Sequence, residues 1–552
     1  MITAPYNFVP LNEQIFYPDW ADNVSHDIPF SDAQSGEIDI TITAKNPIFI
    51  KNHTPEGSKE TLEFCHHINE NGEKEYYIPS SSVKGMIRNV LEIISFGKIK
   101  IDSKFNTISS VRDMTNNSLV GKANKCGFLI EIDGNTKLLD CGNIITISHK
   151  ILEKDYPELK SLKTAKDKYT KYDLLKEVKF TTKKEKFRTV ALLSNDNNKD
   201  AKSGYLVFTG DIENKKYEFI FKNSSNYREI SDDTKRKFLQ VYDNNKSIDG
   251  EYLIKKSPKK IPVFFVEKDQ KIEVIGITQL FKLAYNKTIA DAAKQAAYQE
   301  NKLDLSETIF GTVTNSKALK GRVYFSYFKA TAYKFATKKE VILGTPNPSY
   351  YPNYIQQTKK ANPYITLMNE NAKISGWKRY PLHSELMKPH LPNDNQDVRT
   401  TFIPLDKNTT FQGKLKFHNL KKVEIGALLS AITFHDQGDI CMHNIGMAKA
   451  LGYGKIDIKL ELQNLKFDKK EYLKKFEELM TNFKSDWKNS DQLVELFAMA
   501  NITTKTNKQL AYQLLKNPKL NDFTNKPEKN DFIFAKKAKK YLKAHSQNND
   551  LA

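Results

Sequence analysis

The stretch Tyr76 to Gly97, YYIPSSSVKGMIRNVLEIISFG, constrains the fold most, because it sets an apolar run, a stop and an amphipathic helix in immediate succession. Tyr76-Tyr77-Ile78 suits a strand end, and Pro79 closes it because proline cannot donate to a ladder. Ser80, Ser81 and Ser82 follow, and Val83, Ile87, Val90, Leu91 and Ile94 then recur at helical spacing. A serine hydroxyl accepts a bond from an orphan N–H of a first turn. The spacing predicts a helix over 82–95 capped by the serines, with Lys84 in its first turn and Arg88 in its second. Free N–H groups, hydroxyls and two cations at a helix start make an anion site. A plain capped strand–turn–helix fits the same residues, so this stretch alone does not decide.

A second stretch shifts the balance. Residues 444–458 read NIGMAKALGYGKIDI, with Gly446, Gly452 and Gly454 interspersed with Lys449 and Lys455 before an alternating strand. Glycine lets backbone N–H groups approach a phosphate, and lysine supplies charge. The loop lacks the Gly-Lys-Ser/Thr of a P-loop. Its glycines precede a strand, which is not the dinucleotide-binding arrangement. Tyr453 can be read as a base-stacking side chain or as a packed tyrosine beside glycines.

Together the two stretches resemble the RAMP superfamily of CRISPR-associated RNA-binding proteins. The resemblance rests on Ile78 to Gly85 and on Gly446 to Lys455. It extends to Ile309-Phe310-Gly311 followed by Gly321-Arg322-Val323-Tyr324-Phe325-Ser326. It also takes in Gly413-Lys414-Leu415-Lys416-Phe417 followed by a helix over 423–434. The N-terminal wording Ala4-Pro5-Tyr6-Asn7-Phe8-Val9-Pro10-Leu11 is similar to large type III (III-D-like) effector backbone subunits. Ser80 departs from the family's usual glycine. The matches cover about the first 120 residues and about 275–465.

The resemblance implies an α+β, ferredoxin-like (RRM-like) RAMP domain. The order strand, helix, strands, helix, strand read from the residues agrees with it. It implies a backbone subunit that holds the guide part of a CRISPR RNA. Recognition of a complementary target RNA is then left to base pairing, and other CRISPR effector subunits stand alongside. The RNA-binding candidates are Ser80, Ser81, Ser82, Lys84 and Arg88 at the helix start, and Lys449, Gly452, Tyr453, Gly454 and Lys455 at the glycine loop.

Lysine and arginine number 86 against 66 aspartate and glutamate, a net charge of +20 that favours a polyanionic partner. Cys65, Cys126, Cys141 and Cys441 form no CxxC pair, so neither a zinc knuckle nor a disulfide framework is expected, which fits a reducing cytoplasm. The N-terminus carries no signal pattern, and no apolar run approaches a membrane span. No cofactor is indicated.

The domain is expected to be discontinuous. Residues 1–35 read as an aromatic-rich arm packed on its own domain or a neighbour, and 36–122 as the first half of the RAMP domain. Residues 123–270, rich in lysine, asparagine and aspartate, read as an insertion module. Hairpins are expected there between 128–132 and 144–147 and between 205–212 and 217–221, with 150–186 mostly helical. Residues 271–465 form the second half with a long loop at 343–382 around Trp377-Lys378-Arg379, and 466–552 a helical basic C-terminal region ending in a helix over 536–543.

The alternative class is a ribonuclease that cleaves target RNA or processes CRISPR RNA, a metal-dependent endoribonuclease if it cuts. Related target-cutting subunits use an aspartate between the first strand and the first helix. Here that loop, 51–77, has no aspartate; its acids are Glu56, Glu60, Glu63, Glu70, Glu73 and Glu75. Glutamate's extra methylene misplaces the carboxylate by roughly 1 Å, enough for a large loss of rate. Asp102 and Asp113 fall beyond the helix. The expectation is a subunit that holds guide RNA without cutting the target.

Overall fold

A computed structural model describes residues 2–53, 60–101, 110–111, 123–159, 161–172, 175–185, 188–194, 198–210, 215–242, 249, 252–254, 260–314, 318–344, 350–358, 363–392, 396–462, 465–503, 510–515 and 530–547. Helices and strands mix in an α+β structure of two compact units. One comprises Met1–Ile101, Ala292–Ile365 and Lys373–Ala552; the other comprises Asp102–Asp291 and Thr366–Ala372.

The first unit is organised around an eight-stranded sheet. Its longest strands are Ala33–Ala44 and Thr410–Lys421, antiparallel, with Ile38 opposite Leu415 and Ile42 opposite Phe411. Along Ala33–Ala44 every second residue from Ile38 to Ala44 is buried, as period-two patterning requires of a strand covered on one side. Across the sheet the order is His443–Asn444, Lys455–Glu461, Ala33–Ala44, Thr410–Lys421, Phe328–Ala332, Lys74–Ile78 and His66–Ile68, with Val323–Phe325 also paired to Thr410–Lys421.

Two helices pack with this sheet, Ser80–Ile94 through Val83, Ile87, Val90, Leu91 and Ile94, and Lys422–Thr433, buried from Glu424 onward. The second also takes the helix Lys469–Phe483, and Gly426 makes that crossing possible because any Cβ there would run into the Tyr472 carbonyl oxygen. Lys422–Thr433 is tied to the sheet by an ion pair between Arg322 and Glu424, both fully buried. Arg322 Nε donates to the Thr308 carbonyl at 2.9 Å and another guanidinium N–H donates to the Asn419 carbonyl. Glu424 Oε2 accepts the Lys421 N–H at 2.9 Å.

The N-terminal arm packs on its own unit. Asn7–Val9 pairs antiparallel with Trp377–Arg379, the only regular strand of the expected 343–382 loop among the described residues. The basic end differs from expectation: the helix there is Asp531–Lys537, and residues 538–543 leave it.

The second unit holds a five-stranded sheet and a closed five-stranded barrel. The expected hairpin of 205–212 with 217–221 forms, Tyr205 standing opposite Phe221, while two other sequence readings are corrected. Lys125–Ile132 pairs with Asn135–Asn143 and not with residues 144–147, because the turn at Asp133-Gly134 has both residues at positive φ and closes the tighter hairpin. Ile145–Ser148 instead joins the barrel beside Tyr217–Lys222 and Arg188–Leu193. Within 150–186 the longest regular element is a strand, Glu177–Glu185, whose Val178 and Phe180 alternate with lysines. Started at Lys202, the barrel strands and the helical crossover run in the connectivity of an oligonucleotide-binding barrel with its chain ends moved, including the single parallel pair. The face such barrels use spans their second and third strands. Here Phe219 and Phe221 of that face are buried against Phe264, so it is not open to a ligand.

Three deeply buried histidines of the first unit give it an acid sensitivity. Burial pushes His443 down to about 3, and His383 and His545 down to about 4. Each folded value lies below the unfolded one near 6.5, so the unfolded chain binds more protons in acid, and stability present at pH 7 is lost as pH falls toward the folded values. Thermal melts at pH 7.5, 6 and 5 are expected to show a falling Tm, with a shallower fall for His443→Gln. An unchanged Tm down to pH 5 contradicts the buried neutral histidines.

Candidate nucleic-acid interface

The helix start differs from the capped one expected. The helix runs Ser80–Ile94 with Pro79 at its N-cap position and no side-chain cap bond. Pro79 has φ −58° and ψ 140°, so it makes the turn itself. Its carbonyl accepts the N–H groups of Ser82 at 3.0 Å and Val83 at 3.5 Å. The serines are therefore first-turn residues and not caps, and Lys84 and Arg88 each lie further along the helix than expected.

Helical geometry then separates the candidates. Ser82, Met86 and Asn89, at i, i+4 and i+7, share one face. Lys84 and Arg88 take another, each 6.0 Å from the Phe310 ring centre. Arg88 is engaged by Glu92 at 2.9 Å and reaches the Gly311 carbonyl at 3.4 Å. Lys84 has its pKa lowered by burial and then by Arg88. The helix start and both cations thus do not form one anion site.

At the glycine loop the three glycines sit at φ 88°, 87° and 77°. Their need for glycine comes from the protein's own backbone. A Cβ at Gly446 would meet the Phe49 carbonyl, and one at Gly454 the Ile445 carbonyl. The Gly454 N–H already donates to Pro47 at 2.9 Å and the Gly452 N–H to Lys449 at 3.1 Å, so neither is offered to a phosphate. Tyr453 is 5% exposed, with its ring 5.5 Å from Phe402, so the stacking reading is corrected: it is a core residue. Lys455 Nζ lies 3.3 Å from the His383 carbonyl.

Ser82 and Lys449 do come together. They line a cleft of about 470 Å³ with Met86, Asn89, Lys378, Arg379, Asn444 and Gly446, between the Ser80–Ile94 helix, the Trp377–Arg379 strand and the glycine loop. Asn89 and Asn444 pin the third wall: Arg379 donates to Asn89 Oδ1, and Asn444 Nδ2 donates to the Tyr380 carbonyl at 2.8 Å. Among the described residues, the cleft's lining holds three cations and no carboxylate. Arg379 is half-buried by area but packed closely enough for burial to draw its guanidinium down to about 10. Burial lowers Lys378, and burial followed by Arg379 lowers Lys449. Lys449 Nζ donates to the Gly446 carbonyl at 3.0 Å and Lys378 Nζ to the Tyr354 hydroxyl at 2.8 Å.

Burying like charges without counter-ions is unfavourable, and an anion in the cleft relieves it. Hydroxyl, amide and cationic donors around one opening suit a phosphate. Sequence reasoning missed Lys378, Arg379 and Asn89 as partners of Ser82. The helical spacing of Ser82 and Asn89 and the paired cations beside Trp377 were the available signals.

The loop before the helix is occupied by ion pairs. Glu63 is held below the usual carboxylate range by Lys74, and Glu75 lies 3.3 Å from His67. Glu56, Asp102 and Asp113 lie outside the described residues. Among the described residues no group of three or more His, Cys, Asp or Glu is placed to hold a metal ion, and no helix is long and apolar enough to cross a membrane.

No family model and no curated protein matches the chain. Solved structures similar to it include a chain of a Type IV-B CRISPR complex, at 10% identity and TM-score 0.25, covering 78% of this chain and 93% of that one. Csc2 of Thermofilum pendens is similar at 10% identity and TM-score 0.22, over 90% of this chain and 89% of that one. A chain of the Type III-B Cmr-beta complex bound to cognate target RNA is similar at 9% identity and TM-score 0.20, over 78% and 98%.

Proposed function

We propose that this chain is a RAMP backbone subunit of a type III, III-D-like CRISPR effector ribonucleoprotein that works in the cytoplasm. It holds the guide part of a CRISPR RNA by its phosphates while a complementary target RNA pairs with the guide, and other effector subunits flank it. The observation that carries the reading is the convergence of the two stretches that bear the family resemblance on one carboxylate-free cationic cleft. The strand order 455–461, 33–44, 410–421, 328–332, with helices after the first and third strands in chain order, supports a ferredoxin-like RAMP domain in the first unit. The segment 123–270, which falls within the second unit, is read as an insertion.

Phosphate holding of this kind is salt-dependent and nearly blind to base sequence. The protein as isolated is expected to carry RNA, seen as a raised A260/A280 that ribonuclease lowers. The purified chain, stripped of RNA, is expected to bind unrelated single-stranded RNAs with similar affinity and a steep salt dependence. A protein that is free of RNA on isolation and binds none at low salt overturns the reading. A complementary RNA added with magnesium or manganese is expected to stay uncut by this subunit. Cleavage that disappears on mutating Glu56, Glu60 or Glu63 alone would move the reading to the ribonuclease.

A further inference from the structure

A buried arginine is ordinarily settled by a carboxylate, and the first unit follows that rule at three places. Arg88 rests on Glu92 at 2.9 Å, Arg399 on Glu340 at 3.1 Å, and Arg322 on Glu424. Arg379 alone among the described arginines of this unit has no carboxylate. Its Nη1 donates instead to the amide oxygen of Asn89, on the Ser80–Ile94 helix. Burying a cation without a counter-ion is costly. An aspartate in place of Asn89 would have the same shape and would supply the missing charge, yet an uncharged acceptor stands there.

Asn89 engages Nη1 only. Nε and Nη2 make up another edge of the guanidinium. Among the described residues neither donates to protein, and neither is sealed from solvent. Two parallel N–H groups on one edge match two oxygens of a phosphate. The backbone of Arg379 is fixed as well, standing opposite Asn7 where Asn7–Val9 pairs with Trp377–Arg379. Burial draws the guanidinium down to about 10, so it stays charged at neutral pH. That charge, after burial, is what lowers Lys449 across the cleft. The two lysines of the cleft already donate to protein oxygens, Lys378 to the Tyr354 hydroxyl and Lys449 to the Gly446 carbonyl.

We propose that Arg379 grips an RNA phosphate through two hydrogen bonds, from Nε and Nη2, and that Asn89 is the positioning residue that aims it without neutralising it. The inference rests on the reading of the cleft as an RNA phosphate site and assigns the fork within it. Lys378 and Lys449 surround the same anion as point charges. A lysine at 379 keeps the charge and loses the fork. An aspartate at 89 keeps the shape and makes the protein its own counter-ion.

The test titrates a labelled single-stranded RNA into the RNA-free full chain across a salt series, for wild type, Arg379→Lys and Asn89→Asp, with a thermal melt of each free protein. Arg379→Lys is expected to bind about tenfold or more weaker, since hydrogen bonds to a charged group are lost. Its salt slope is expected to stay, because the charge stays. Asn89→Asp is expected to raise the Tm of the free protein and still weaken RNA binding by about tenfold or more, with the log–log salt slope lowered by about one. A residue that only braces the fold moves stability and affinity in the same direction. Wild-type affinity in Arg379→Lys overturns the fork and leaves the cleft standing. Asn89→Asp that keeps wild-type affinity, or loses it together with stability, overturns the positioning role. A wild-type chain that binds no RNA removes the cleft reading and this inference with it. Where Arg379→Lys does not fold, the isosteric Asn89→Asp decides.

Discussion

Arg322→Met is expected to destabilise the first unit by about 3–5 kcal/mol, the usual cost of stranding a buried charge. Arg322 and Glu424 are both 0% exposed, and Arg322 links the strand Val323–Phe325, the Thr308 carbonyl and the start of the Lys422–Thr433 helix. Methionine fills most of the volume but leaves Glu424 with no cation and the Asn419 carbonyl without its donor. Replacing both partners is expected to cost less than replacing Arg322 alone, because the double variant buries no unpaired charge. Denaturant unfolding of Arg322→Met, Glu424→Gln and the double variant measures the coupling directly. A loss under 1 kcal/mol for Arg322→Met would mean that the pair does not hold helix to sheet.

Gly454→Ala is the second large effect, and it separates two roles of the glycine loop. At φ 77°, with the Ile445 carbonyl where the Cβ would go, the loop must shift to admit a methyl group. A left-handed residue costs about 1–2 kcal/mol before any clash is counted, so a loss of more than about 2 kcal/mol is expected. If the glycine served instead to let a phosphate approach, the same change would weaken RNA binding and leave the free protein's stability alone. Melting the RNA-free variant distinguishes the two, and an unchanged Tm contradicts the packing role.

These effects show where the sequence was readable. The Ser80–Ile94 helix was visible in the spacing of its apolar residues because a helix buried on one face leaves a period in the chain. Its cap was misread because Pro79 makes the turn that a serine hydroxyl would otherwise stabilise. The strands Ala33–Ala44 and Thr410–Lys421 were legible for the same reason of periodicity. Glu177–Glu185 was not, since its exposed lysines and glutamates look alike in a strand and in a basic helix.

For the site, composition marked Lys449 and Lys378-Arg379 as cations but not as neighbours. Their meeting depends on long-range pairing, of Asn7–Val9 with Trp377–Arg379 and of Arg379 with Asn89, which no local pattern encodes. Glycines at 452 and 454 were visible, but the reason for them was a carbonyl contact across the fold. Tyr453 beside them could be read as stacking or as packed, because exposure cannot be read from a glycine-rich string.

The central claim is that the cleft between the Ser80–Ile94 helix and the glycine loop holds RNA phosphates. The most direct measurement is the affinity of RNA-free protein for a labelled single-stranded RNA across a salt series, for wild type, Lys449→Glu with Lys378→Glu, and Lys536→Glu with Lys537→Glu as a charge-matched control. The cleft variant is expected to lose affinity by at least tenfold more than the control, with its log–log salt slope reduced by about one for each phosphate contact removed. A cleft variant that binds as tightly as the control, with the same slope, would contradict it.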